Sequence, residues 1–267
     1  MKTRTITGIF FIIVMLASLL TGHYPFGIFY LLLALFCQFE FYGLIKQSGY
    51  QPNYAAGLVN GALIYTSFAY ITYSHIIQPI LFIVPVTLSA IFIQELFKKS
   101  ATPFQNIAFT FLGLLFTIMP FTFFHAMAYV RGDFNFHLPL GFFVMLWSND
   151  TGAYLTGRAF GRTKLFERHS PKKTWEGFIG GMVIAGIAGY ILSIYYTELE
   201  WKQWVSIAIL IACFGTLGDL VESMFKRSIN VKDSGGILPG HGGLLDRFDG
   251  LLIAAPIVYC YLYFINY

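Results

Sequence analysis

The chain has 267 residues, of which 57% are hydrophobic and 11% charged, and its 17 Lys and Arg exceed its 13 Asp and Glu for a formal net charge of +4. A mean hydropathy of +0.66 excludes an ordinary soluble domain, and the slight basic excess points to no nucleic-acid partner. The composition is that of an all-α, polytopic integral membrane protein.

Apolar runs of about 20 residues, the length that crosses a bilayer core as helix, recur along almost the whole chain. They predict helices over about 6–22, 25–45, 54–74, 77–97, 105–129, 138–156, 177–196, 203–222 and 249–266. The first run follows Lys2 and Arg4 as a signal peptide would. No small-residue cleavage site leads into a soluble stretch, so it is expected to be a retained helix. No hydrophilic segment is long enough for a separate domain, and residues 1–267 read as one transmembrane domain. Within it, 1–140 supplies N-terminal helices and 141–267 supplies catalytic helices and cytoplasmic loops.

Cytoplasmic loops collect Lys and Arg. With about nine spans, the N-terminus inside and the C-terminus outside, 15 of the 17 basic residues fall on the inner side, leaving only Arg131 and Lys202 outside. Two inner loops dominate, 157–176 and 223–248. Cys37, Cys213 and Cys260 sit in apolar runs without CxxC spacing and read as small buried hydrophobes. Gly177, Gly180, Gly181, Gly186 and Gly189 on the seventh predicted helix read as close helix packing.

Ionisable residues inside apolar helices are costly and mark candidate function. Glu40 and Glu95 lie near predicted cytoplasmic ends, where Lys46 and Lys98 or Lys99 would neutralise them. Asp150 stands in the polar cluster Ser148-Asn149-Asp150-Thr151, next to a basic loop. Asp219, Glu222, Ser223 and Lys226 share one helical stripe that ends in Arg227, and Asp246 and Asp249 repeat the spacing of three. Carboxylates that converge beside Lys and Arg call for a cation, and hard oxygen ligands suit Mg²⁺ shared with phosphates. Gly235, Gly236, Gly240, Gly242 and Gly243 allow backbone N–H groups to approach an anion, while Pro239 and His241 argue for a fixed loop shape. The loop around Ser170-Pro171-Lys172-Lys173-Thr174 suits a phosphate or nucleotide; the chain carries no Walker A sequence.

The run Ser223-x-x-Lys226-Arg227-x4-Lys232-Asp233-x-Gly235-x2-Leu238-Pro239-Gly240-His241-Gly242-Gly243-x-x-Asp246-Arg247-x-Asp249 resembles the signature of the phosphatidate cytidylyltransferases, also called CDP-diacylglycerol synthases. Asp150-Thr151-Gly152-Ala153-Tyr154, Ser170 to Gly177 and Gly218-Asp219-Leu220-x-Glu222-Ser223 add to the resemblance, which covers about 147–250. It implies a bacterial inner-membrane enzyme, working as a homodimer, that joins CTP to phosphatidate to give CDP-diacylglycerol with release of pyrophosphate. It also implies dependence on Mg²⁺, with a second cation admitted. Carried over by position, Asp219, Asp246 and Asp249 resemble metal ligands, and Lys226, Arg227, Lys232 and Arg247 resemble phosphate clamps. Ser170, Lys172, Lys173 and Thr174 resemble triphosphate or nucleotide contacts, with Asp150, Ser223, Gly235, Gly240, Gly242 and Gly243 as further substrate contacts. His241 is a candidate phosphate donor or a brace for the glycine turn. Two competing readings are a CTP-dependent enzyme acting on an isoprenoid or ether lipid, and a cation transporter lined by the aspartates.

Overall fold

A bilayer core offers no water to unpaired peptide groups, so an apolar chain satisfies its backbone within each segment as helix. The computed structural model describes residues 2–76, 79–231, 233–235 and 242–266. They form α1 (Lys2–Leu20), α2 (His23–Gln47), α3 (Tyr54–Ser74), α4 (Ile83–Leu96) after a 3-10 turn, α5 (Pro103–Gly113), α6 (Met119–Met127) and α7 (His137–Phe160). After a hairpin, β1 (Lys164–Phe166) and β2 (Ser170–Thr174), come α8 (Trp175–Tyr195), α9 (Trp201–Ser228) and α10 (Leu245–Asn266). Helices α5 and α6 are joined through a π-helical turn at Leu114–Ile118, making Pro103–Met127 one rod. Each predicted span thus corresponds to one rod. Among the described residues, six rods are long and apolar enough to cross a membrane.

Two differences from the predicted elements matter for the site. The basic loop after α7 contains an antiparallel hairpin, with Lys164 opposite Thr174 and Phe166 opposite Ser170. Also, α9 runs on to Ser228, so Ser223, Lys226 and Arg227 are helical.

Lipid tails are as apolar as Leu, so helices in a bilayer associate through close packing and hydrogen bonds. An aromatic core joins α2, α6, α7 and α10: Tyr30 and Phe124 rings are 4.9 Å apart, Phe124 and Phe143 4.9 Å, and Phe121 and Phe248 5.2 Å. Helices α7 and α8 meet through small residues. A Cβ on Gly181 would lie 2.7 Å from the Asn149 carbonyl oxygen, so the close packing expected of the α8 glycines holds there; Gly186 instead faces open space.

Helix α2 carries the buried polar links of the N-terminal half. Gln38 Nε2 donates to the Gly57 carbonyl at 3.0 Å, and the Tyr42 hydroxyl donates to the Thr110 carbonyl at 2.7 Å. Glu95 on α4 behaves as its sequence position suggests, with Lys98 at 3.2 Å and Asn106 Nδ2 donating at 2.8 Å. Glu40 does not. Its carboxylate turns away from Lys46 and into the bundle, where it accepts from the Leu245 N–H at 2.9 Å and the Ser234 hydroxyl at 3.4 Å.

Candidate active site

Four elements build the candidate site: the later turns of α7, the hairpin, the basic end of α9 and the first turns of α10. Thr174 ends β2 in extended backbone and caps α8, its hydroxyl accepting from the Gly177 N–H at 3.2 Å. Glu176 in the first turn of α8 accepts from the Arg162 and Thr163 N–H groups at 3.1 Å, and the Trp175 N–H returns to the Thr163 carbonyl at 2.9 Å. The hairpin is therefore fixed to a membrane helix at its base. Its Lys173 reaches across to Asp219 on α9, with Nζ 2.6 Å from Oδ2.

Helices α9 and α10 approach closely enough to bring their carboxylates together. A Cβ on Gly218 would lie 2.4 Å from the Asp249 carbonyl oxygen, so the residue before Asp219 has to be glycine at this separation. Asp249 interacts electrostatically with Asp219, Asp150 and Lys173. The Ser223 hydroxyl donates to Asp219 Oδ1 at 3.2 Å.

Asp246 has a different set of partners. Lys226 Nζ lies 2.7 Å from its Oδ1 and 2.6 Å from Glu222 Oε2, and Glu222 is only 1% exposed. The Ser234 and Gly243 N–H groups donate to Asp246 Oδ2 at 2.9 and 3.0 Å. Gly242 adopts φ +83, the left-handed region that favours glycine, and a Cβ there would sit 2.8 Å from Asp246 Oδ2. Here backbone N–H groups converge on a carboxylate of the chain itself, through the geometry the sequence suggested for a phosphate cradle.

Two cavities border these groups. One, of about 390 Å³, lies under the hairpin and is lined by Asp150, Arg158, Lys172, Lys173, Thr174 and Asp219 among others. The second, of about 330 Å³, lies between α1, α7 and α10 and is lined by Phe11, Met15 and Trp147 together with Asp150, Asp219, Asp246, Arg247 and Asp249. Asp150 and Asp219 belong to both.

The predicted site residues thus divide. Asp150, Lys172, Lys173, Thr174, Asp219, Asp246, Arg247 and Asp249 line a cavity. Ser170, Ser223, Lys226, Arg227, Gly235, Gly242 and Gly243 line neither; Ser170 pairs within the hairpin, and exposed Arg227 donates to the Val231 carbonyl. Lys232, Gly240 and His241 lie outside the described residues. Sequence reasoning missed the α1 face of the second cavity, because Phe11 and Met15 are indistinguishable from any lipid-facing residues in an apolar run.

Among the described residues, no three carboxylate, histidine or cysteine groups converge tightly enough to enclose a cation alone. Mg²⁺ that works on phosphates needs less, commonly one or two carboxylates with water and the phosphates completing its shell. Asp219 and Asp249, on adjoining helices and facing one cavity, fit that donor set.

The cytidylyltransferase family model matches residues 2–265. Proteins named phosphatidate cytidylyltransferase are similar throughout. That of Staphylococcus haemolyticus (strain JCSC1435) is 33% identical over 261 residues, covering 97% of each chain. That of Staphylococcus aureus (strain COL) is 34% identical over 279 residues, again covering 97% of each. That of Bacillus subtilis (strain 168) is 33% identical over 265 residues, covering 97% of this chain and 96% of its own.

Proposed function

The chain belongs to the cytidylyltransferase family, and we propose that it is a CTP:phosphatidate cytidylyltransferase, moving CMP from CTP to phosphatidate to give CDP-diacylglycerol and pyrophosphate. The names and full-length similarity of its relatives support the reaction. The observation that ties it to this chain's chemistry is the wall of Asp150 and Asp219 common to both cavities. A group bound in one can there meet a group bound in the other.

The hairpin cavity, with Lys172, Lys173 and Arg158, suits the triphosphate of CTP. The second cavity, apolar along α1 and bordered by Arg247, suits a lipid phosphate whose acyl chains stay among the helices. When bound, Mg²⁺ screens phosphate charge and favours attack at phosphorus; Asp219 and Asp249 are the residues that would hold it, with Asp246 less available because Lys226 and two N–H groups already occupy it. Lys173 exchanges Asp219 for the nucleotide's phosphates, and Arg247 orients the lipid phosphate. Phosphatidate is already anionic near neutral pH, so the task left to the side chains is bringing two polyanions into line. Lys226 is committed to Glu222 and Asp246, which argues against it as a covalent nucleophile.

On this reading the protein works as a homodimer in the bacterial cytoplasmic membrane, its hairpin end facing the cytoplasm, where CTP is made. Purified protein with labelled CTP and Mg²⁺ tests the reaction. Label is expected in the lipid phase with phosphatidate and not with a polyprenol. Label with the polyprenol alone would transfer the reading to an isoprenoid substrate. Failure with both, alongside cation flux in proteoliposomes lacking CTP, would replace it with transport.

A further inference from the structure

We infer that Glu40, which lies outside every motif of the site, is a positioning residue for it: through Ser234 and the first turn of α10 it sets where Asp246 meets Lys226. The inference rests on the cytidylyltransferase reading of that site.

Glu40 sits on α2 and is 6% exposed. A carboxylate buried in a membrane helix is costly, and its partners show what it is kept for. They come from 194 and 205 residues further along: the Ser234 hydroxyl, donating at 3.4 Å, and the Leu245 N–H, donating at 2.9 Å. The Ser234 hydroxyl oxygen in turn accepts from the Asp246 N–H at 3.3 Å, and the Ser234 N–H donates to the Asp246 carboxylate at 2.9 Å. Lys226 closes the chain at 2.7 Å from Asp246. Glu40 is therefore one residue removed from Asp246, which lines the second cavity.

The surrounding backbone is shaped to admit this carboxylate. A Cβ on Gly235 would lie 2.7 Å from Glu40 Oε1, and one on Gly243 would lie 2.6 Å from Oε2 and 2.0 Å from Ser234 Oγ. A side chain at either position would push the Glu40 carboxylate or the Ser234 hydroxyl out of place. These two glycines of the motif answer to α2, whatever the others do for phosphate.

Kinetics with CTP and phosphatidate test the inference. Glu40→Gln keeps the shape and removes the charge; its kcat is expected to fall by about tenfold to a hundredfold, with the KM for CTP within about threefold of wild type. Ser234→Ala is expected to fall comparably, and the double variant to lose little beyond the worse single, because both changes act along one path. Glu95→Gln is the control: a carboxylate 3% exposed that lines neither active-site cavity, and its kcat should stay within about twofold of wild type. Glu40→Asp, which keeps the charge but withdraws it, is a second variant should Glu40→Gln fail to fold, and an intermediate loss of kcat is expected. Wild-type kcat in whichever Glu40 variant folds overturns the inference, as do losses at Glu40 and Ser234 that multiply in the double variant, or a Glu95→Gln loss as large as that at Glu40. A wild-type protein that forms no labelled lipid would instead overturn the functional reading beneath it.

Discussion

At the scale of single residues, the three aspartates differ in their surroundings, although the sequence resemblance groups them as metal ligands. Asp219 and Asp249 face a common cavity from adjoining helices, whereas Asp246 is tied to Lys226 and to the N–H groups of Ser234 and Gly243. Asp219→Asn and Asp249→Asn are each expected to lower kcat by about a hundredfold or more and to raise the Mg²⁺ concentration needed for half-maximal rate. Asp246→Asn is expected to lower kcat without moving that midpoint. A Mg²⁺ titration of the three variants checks this; a raised midpoint for Asp246→Asn would return it to the metal set. The stripe of Asp219, Glu222, Ser223 and Lys226 was legible in the sequence because helical period alone puts those spacings on one face. The partners of Glu40 were not. Lys46 is its near neighbour in sequence, while its true partners, Ser234 and Leu245, are joined to it only by the tertiary fold.

At the scale of elements, helix positions could be read because each rod needs about 20 apolar residues, and boundaries differ by up to six residues, as at the end of α9. The hairpin could not, since its strands are short and basic, and what fixes it is Thr174, which caps α8, and Glu176, which accepts from the Arg162 and Thr163 N–H groups. The contact of α9 with α10 at Gly218 sets a glycine directly against backbone. Gly218→Ala would place a methyl against the Asp249 carbonyl, a backbone group that cannot turn aside, and is expected to cost about 1–3 kcal/mol of stability. Its kcat should fall as well, because Asp219 and Asp249 would be pushed apart. Thermal unfolding in detergent, measured beside kcat, checks both; an unchanged Tm would show that the helices separate freely.

The loops at the opposite end are joined by Glu198, which accepts from Asn135 Nδ2 at 3.0 Å and from His137, while Arg131 donates to its carbonyl. Partial burial would raise the Glu198 carboxyl, but the Asn135 and His137 hydrogen bonds prevail and hold it below the ordinary glutamate value. A carboxyl depressed in the folded state contributes stability above its unfolded value, about 4.3, and loses that contribution as pH falls through the folded value. The Tm gap between wild type and Glu198→Gln is therefore expected to close as pH falls from about 6 to about 3. A gap that is constant across that range would mean the charge on Glu198 contributes nothing.

At the scale of the whole molecule, polar contacts tie the ends of different rods together. Glu40 near the end of α2 meets Ser234 and Leu245, Lys173 of the hairpin meets Asp219 on α9, and the Arg131, His137 and Glu198 group joins the other loops. If the hairpin end is cytoplasmic, a single cysteine at Lys172 should resist an impermeant thiol reagent added to intact cells and react once they are opened. Labelling of intact cells would reverse the orientation. The bond from Glu40 to residues near the end of the chain also gives the site a history. Helices enter a membrane in the order of their synthesis, so α2 must hold its acid among apolar neighbours before the donors that satisfy it have been made. An unfinished chain leaves that carboxyl without its Ser234 and Leu245 donors, and a finished one supplies them. A chain stopped before Ser234 is thus expected to be degraded quickly in cells and to last longer when it carries Glu40→Gln, with pulse-chase half-lives as the measure. Equal half-lives would mean that the unpartnered acid goes unnoticed; a longer one would mean that the bond from α2 to the last helix also ends the nascent protein's exposure to destruction.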